Sequence, residues 1–403
     1  MTGNDFAFGR CLLLGFVALG LAGGGCGVAP DRGVAGPAGD ALATEFNSTP
    51  RLRYGKSPTL VFMGKQFIGG DLGTHGYHYR AAEKNGVLYT CRAGHIDTTH
   101  LRIAADWTAH LAAESYQHLM RGDQNFSFRM LADRHSPHYV QISYPADWAN
   151  LSPEQRRRTA REVALTMGPY LAYTLVTWHE ILTWYGYRSV GIVPEFHSAF
   201  SWEDSFSNLL GTFLAAQALR DTGHSYDQAM TIALDKEMRK LGVQPAAVAK
   251  QASRSVQGQW YSGSIGTFIN MKKRGLDIGV DTGFATPILV PNVPSCPGAE
   301  PASYPAPTLQ ALSNYGFSVV VEIEPHEWEK NRILRIVYPD QRGRRIRPDE
   351  HFAAIMFDIR REAAARYGPE NVPMERAFAR RASAAEQNPK IRNPEFETNP
   401  KFK

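Results

Sequence analysis

The stretch "VALTMGPYLAYTLVTWHEILTWYGY", residues 163–187, is apolar nearly all round and carries one histidine and one glutamate side by side, His179 and Glu180. A helix that is apolar on every face has to be enclosed by others. This segment is therefore expected to be the spine of the fold. Working outward, Ser152-Pro153-Glu154-Gln155 precedes it with a serine N-cap, proline at the first helical position and glutamine three residues on. Ser225-Tyr226-Asp227-Gln228 repeats the serine and glutamine of this capping box, and Ser201-Trp202-Glu203-Asp204 repeats the serine. These starts predict helices over about 153–187, 202–222 and 226–241, with shorter ones near 246–254 and 264–274.

Before the spine, "TLVFMG", "GVLYTCRAG", "FSFRMLA" and "HYVQISYP" read as short strands, and "HIDTTHLRIAADWTAHLAAESYQHLM" as an amphipathic helix. After it, the proline-rich 283–307 reads as a wrapping loop. "FSVVVEIEP" and "RILRIVYP" are expected to form a β-hairpin, and "EHFAAIMFDIRREAAARYG" a helix. The expected fold class is α+β and predominantly helical, as one globular body over 51–385 with its core over 51–300 and a hairpin and helix over 310–385. Residues 386–403 lack apolar periodicity and are expected to be disordered.

Arg10 and the apolar run "CLLLGFVALGLAGG" have the form and length of a signal peptide and are too short to span a bilayer comfortably. Small residues lead from there to Cys26 in "LAGGGCG", which looks like a bacterial lipobox, although Gly23 stands where leucine is usual. The expectation is an exported protein anchored to the membrane through lipid on Cys26 and facing the periplasm, the alternative being a soluble periplasmic or secreted one. Residues 27–50, rich in Gly, Ala and Pro, read as a flexible tether. Beyond the leader only Cys91 and Cys296 remain, and in an oxidising compartment they are expected to pair.

The chain has 403 residues, 43% of them hydrophobic, with 44 Lys and Arg against 39 Asp and Glu. That is enough for a sizeable core. The mild basic excess comes without any run of five or six like charges, so nothing asks for nucleic acid as a partner.

Burying a carboxylate without a partner is costly, so His179 and Glu180 mark a candidate site. Their pairing also opens the zinc-protease pattern H-E-x-x-H, but Thr183 stands where the second histidine belongs. A second cluster is "GHIDTTHLR": Asp97 is an expected N-cap, and His100 follows at N3 beside it, with His95 and Arg102 close in sequence. A third is "PEFHSAFSWEDSFSNLLG", with Glu195, His197, Glu203, Asp204 and Asn208. Asp204 and Asn208 lie one turn apart, on a face shared with Ser201, Ser207 and Gly211. Expected catalytic residues are His179, Glu180, Glu203 and Asp204, and expected metal ligands His100, Asp97 and His179, with a divalent ion such as zinc as cofactor. The aspartic-protease signature hydrophobic-Asp-Thr-Gly occurs once, at Asp281, where such enzymes need two. A turn is the expected reading.

"GVLYTCRAGHIDTTHLR", "HEILTWYGYRS", "SAFSWEDSFSNLLG" and "DTGFATPILVPN" together resemble a bacterial family of predicted lipoproteins, domain of unknown function 4056, over most of 50–300. The resemblance implies an envelope lipoprotein and carries over no catalytic residue. Two functional readings stand: a hydrolase of peptidoglycan, lipid or peptide, and a non-enzymatic binding or scaffolding lipoprotein whose buried His and Glu form a structural network.

Overall fold

The computed structural model describes residue 42 and residues 45–372, except 54, 60–65, 80–81, 131–135, 187, 190–192, 195–197 and 265–266. For residues 188–189, 193–194, 264 and 267–268 it describes the backbone. The leader, Cys26, residues 60–64 of the strand expected over 59–64, Glu195, His197 and the tail 386–403 lie outside these residues.

Three helices form the centre: α1 (Thr98–Arg121), α2 (Pro153–Tyr185) and α3 (Asp204–Ala218), each packed on the other two. Their ends follow from local chemistry. Ser152 and Gln155 close a capping box at the start of α2, and Gly122 and Gly186 end α1 and α2 in the left-handed conformation. The close packing is set by two glycines. A Cβ on Gly168 of α2 would come within 2.7 Å of the Thr108 carbonyl oxygen, and one on Gly211 of α3 within 2.1 Å of the Leu101 oxygen. Both contacts are with α1, so α1 is clasped by the other two. As the sequence predicts, α2 is the spine, buried along most of its length.

Around this core lie α4 (Tyr226–Lys240), α5 (Ala246–Ser255) and small antiparallel sheets. Strands β1 (Val87–Thr90) and β2 (Gly94–Asp97) form a hairpin that runs directly into α1. β3 (Asn125–Phe128) and β4 (His138–Ser143) pair, and β5 (Arg188–Ser189) with β6 (Val193–Pro194) makes a two-residue ladder. β7 (Tyr261–Ser264) pairs with β8 (Thr267–Met271), and β9 (Phe284–Ala285) with β10 (Tyr304–Pro305). β11 (Ser318–Ile323) adds to β4, with α6 (Lys330–Val337) and α7 (Pro348–Tyr367) following. The fold is α+β and mainly helical. No helix among the described residues is long and apolar enough to cross a membrane.

Several expectations are corrected. The helix expected over 264–274 is the second half of the β7–β8 hairpin: Thr267, Phe268 and Ile269 are strand formers, and Gly263 takes φ +97° at the bulge. The C-terminal hairpin is absent, since β11 pairs with β4 and residues 330–337 are helical. Ile333, Leu334, Ile336 and Val337 carry the i, i+3, i+4 spacing of a helix face. Helix α3 starts at Asp204, and Glu203, not Ser201, stands at its N-cap. The packed body also reaches back beyond residue 51: Phe46 is buried edge-on against Tyr77 and Tyr226.

The expected disulfide is present. Cys91, in the β1–β2 turn, is bonded to Cys296 with 5.2 Å between Cα atoms, across 205 residues of sequence. It ties the loop after β9 to the hairpin that feeds α1.

Candidate metal centre

Asp97 caps α1 as expected, its Oδ1 accepting from the Thr99 amide at 2.8 Å. Its other oxygen accepts from the Lys56 amide at 2.7 Å, and its own amide donates to Ser207 Oγ on α3 at 3.0 Å. The β2–α1 junction is thereby held against α3. One turn into α1, His100 places Nδ1 2.9 Å from Asp97 Oδ2 and 3.2 Å from Asp204 Oδ1. Neither contact has hydrogen-bond geometry, so both Nδ1 and Asp204 Oδ1 are buried without a hydrogen bond. The imidazole keeps about a quarter of its surface exposed, at 24%. Gly55 lies over it, so close that a Cβ there would be 2.9 Å from Cε1.

The loop before α3 holds the acids. Glu180 Oε2, from α2, accepts the Phe200 amide at 2.7 Å, and Asp204 Oδ2 accepts the Ser201 amide at 3.1 Å. Two consecutive amides can face two carboxylates because Phe200 has φ +50°, a left-handed conformation unusual for a bulky residue. Arg274 secures this turn. Its Nη1 donates to the Ala199 carbonyl at 2.5 Å, and the next amide, Gly275, donates to the Phe200 carbonyl at 2.9 Å. The Arg274 guanidinium is fully buried between the rings of Trp184 and Tyr367. Glu203 Oε2 accepts from Ser201 Oγ, while its Oε1 and Asn208 Oδ1 are buried without hydrogen bonds.

Burial, and then the charge of Asp204, push the Glu180 carboxyl up to about 7, against the opposing pull of His179 and His100 and of the Phe200 amide. The same two causes push Glu203 well above the usual carboxylate range. Burial lowers the His100 pKa, but Asp204 and Asp97 outweigh it and the imidazole ends well above its ordinary value. Burial holds Arg274 below its ordinary value, partly offset by Tyr367, Asp204 and Glu180. Excess acid around one histidine and one buried arginine is an environment that favours a further cation.

His100, Glu180 and Asp204 come from three different helices, and their ligand atoms all lie within 4.8 Å of one another. Ligands about 2.1 Å from a single ion are at most about 4.2 Å apart, so small side-chain rotations bring all three onto it. One imidazole with several carboxylates suits manganese, iron or zinc. Asp97 and Glu203 stand just behind these three.

Of the residues expected from sequence, His100, Glu180, Asp204, Asp97 and Glu203 are brought together. His179 is not in the ligand-distance group. It is half-buried, and neighbours on a helix point about 100° apart, so the phase that turns Glu180 inward turns His179 aside. His95 lies elsewhere: Trp202 Nε1 donates to its Nδ1 at 3.3 Å, so its Nε2 carries the proton donated to the Ala249 carbonyl at 2.9 Å. Burial pushes this imidazole down to about 4, which keeps it neutral. Asp281 sits in the expected turn, paired with Arg360 of α7. Arg274, the left-handed Phe200 and the cover at Gly55 carry no motif and are legible only from their contacts.

No curated protein and no solved structure matches the chain. Residues 70–267 match the family model described as "Protein of unknown function (DUF4056)", and all five clustered acids and histidine fall within the match. This part of the chain is a domain of that family.

Proposed function

We propose that the domain binds a divalent cation between His100, Glu180 and Asp204 and uses it in hydrolytic chemistry at the bacterial cell envelope. The observation that carries the reading is the convergence of three ligand atoms from α1, α2 and α3, with Asp204 Oδ1 buried and left without a hydrogen bond. A bound ion lowers the pKa of its water and polarises an acyl or phosphoryl oxygen. Glu203, next to Asp204 and with one oxygen making no hydrogen bond, suits the accompanying general base. The leader and Cys26 would carry this domain across the inner membrane and tether it by lipid, giving it envelope substrates rather than nucleic acid.

The test is metal analysis of the mature chain purified without chelator, with Cys26→Ser to keep it soluble, beside His100→Ala. Near-stoichiometric manganese, iron or zinc, lost in the variant, supports the reading and opens a hydrolase screen. Absence of binding when each ion is titrated into the folded protein at pH 8 would sink it. The second reading is a structural network, favoured by His100 lying between two carboxylates. It predicts that Asp204→Asn lowers stability with no effect on metal content.

A further inference from the structure

A cleft of about 860 Å³ is lined in part by Tyr367, whose hydroxyl accepts from Arg274 Nη2. One wall is the segment before β7 together with β8, contributing Gln259, Trp260, Asn270 and Lys272, and the other is the end of α7 and the turn after it, contributing Tyr367 and Asn371. Its volume lies in the range of small-ligand sites.

The polar groups in this cleft are largely unspent. Gln259 and Asn270 are exposed and make no side-chain hydrogen bond to the described residues, and Lys272, half-buried, has no carboxylate partner among them. The neighbouring cations are committed: Lys273 Nζ donates to the Glu370 carbonyl at 2.8 Å and lies over the Trp260 ring, while Arg366 is paired with Glu362 at 2.9 Å. The backbone beneath is rigid, since the amides of Lys272 and Lys273 both donate to the Trp260 carbonyl. Gly258, at φ +89°, has nothing within 4 Å of where a Cβ would stand and leaves the mouth open. The single carboxylate in the lining, Glu370, accepts from Asn371 Nδ2 at 3.1 Å.

Amide side chains that both donate and accept match hydroxyl and acetamido groups, and an unpaired ammonium matches a carboxylate. We infer that the cleft between β8 and the end of α7 is a binding site for a carboxylate-bearing oligosaccharide, with Lys272 as the anion contact. This goes beyond the metal reading and stands without it. The two sites meet at Arg274, whose Nη2 donates to the Tyr367 hydroxyl at 3.3 Å on the wall of the cleft.

The experiment is calorimetric titration of the metal-free protein with a tetrasaccharide of alternating N-acetylglucosamine and N-acetylmuramic acid, with neutral chitotetraose and inorganic phosphate as comparisons. The expected result is saturable binding of the acidic tetrasaccharide below about 1 mM, at least tenfold tighter than chitotetraose. Lys272→Ala and Asn270→Ala, both verified as folded by circular dichroism, are expected to weaken it at least fivefold, and His100→Ala to leave it unchanged. No saturable binding, equal affinity for the neutral sugar, tighter binding of phosphate, or indifference to Lys272→Ala would each overturn the inference. Loss of binding in His100→Ala would move the ligand to the acid cluster and overturn it as well. Metal loss in that variant, measured separately, leaves this inference untouched.

Discussion

Nδ1 of His100 and Oδ1 of Asp204 lie 3.2 Å apart, buried, with no hydrogen bond made by either atom. At this helix crossing the pair is held by charge, and a cation bound between the two would take the place of the imidazole proton.

The ligand set predicts a graded mutational pattern. His100→Ala and Asp204→Asn should each weaken manganese or zinc binding by about 100-fold or more, the usual scale for loss of one ligand or its support. His179→Ala, at the half-buried neighbour of Glu180, should change it by less than about tenfold. Titration of each ion followed by calorimetry checks the order. Equal losses from His179 and His100 would contradict the geometry.

The pH dependence of the chelated protein has a definite sign. Glu180 titrates near 7 when folded against an ordinary 4.5, so its contribution to stability is present below 4.5 and is lost as pH rises through 7. His100, raised above 6.5, contributes fully below that value and loses its contribution at still higher pH. Thermal unfolding in chelator should therefore show Tm falling from pH 6 to pH 8. Glu180→Gln should flatten that slope and stabilise the chelated domain at pH 8 by on the order of 1–3 kcal/mol.

Metal affinity should run the other way. Binding requires His100 and the acids to be deprotonated, so affinity should rise from pH 6 to pH 8 with release of protons. Titrations in two buffers of different ionisation enthalpy count those protons. Equal heats in both would mean that no proton is displaced.

Gly211→Ala should destabilise the domain by roughly 2–4 kcal/mol, because the added methyl meets the Leu101 carbonyl and α1 must move away from α3. The shift also draws His100 from Asp204, so metal binding should weaken with stability. Gly122→Ala is the control: its Cβ meets nothing within 4 Å, and only its left-handed φ is disfavoured.

Replacing Cys91 and Cys296 together by serine should cost about 2–5 kcal/mol, since the bond closes a very long loop in the unfolded chain. Chemical denaturation measures this. A thiol assay on the non-reduced mature protein should find neither cysteine free.

Much of this was legible in the sequence, for reasons that differ by element. The capping boxes at Ser152 and Ser225 and the aspartate cap of α1 are bonds between residues two or three apart, so residue type and spacing reveal them. The enclosed α2 showed itself by having no polar face. Cys91 and Cys296, the two cysteines beyond the expected leader, were expected to pair, and they do. Strand partners were harder to read. Residues 332–337 satisfied β propensity and helical period at once, and β11 found a better partner in β4, far away in sequence.

The acids and histidines of the cluster could be nominated from composition, but their roles could not be assigned. Whether His179 or Glu180 faces inward depends on the rotation of α2, and the contact of Gly168 with α1 sets that rotation. His100, expected as a ligand from the sequence, meets Asp204 because Gly211 lets α3 approach α1 closely. Arg274, from a segment read as helix, entered through the β7–β8 hairpin. Caps, turns and the extent of the apolar core are local free energies written in neighbouring residues. The ligand geometry depends on sub-ångström distances between helices, which only the packed chain decides.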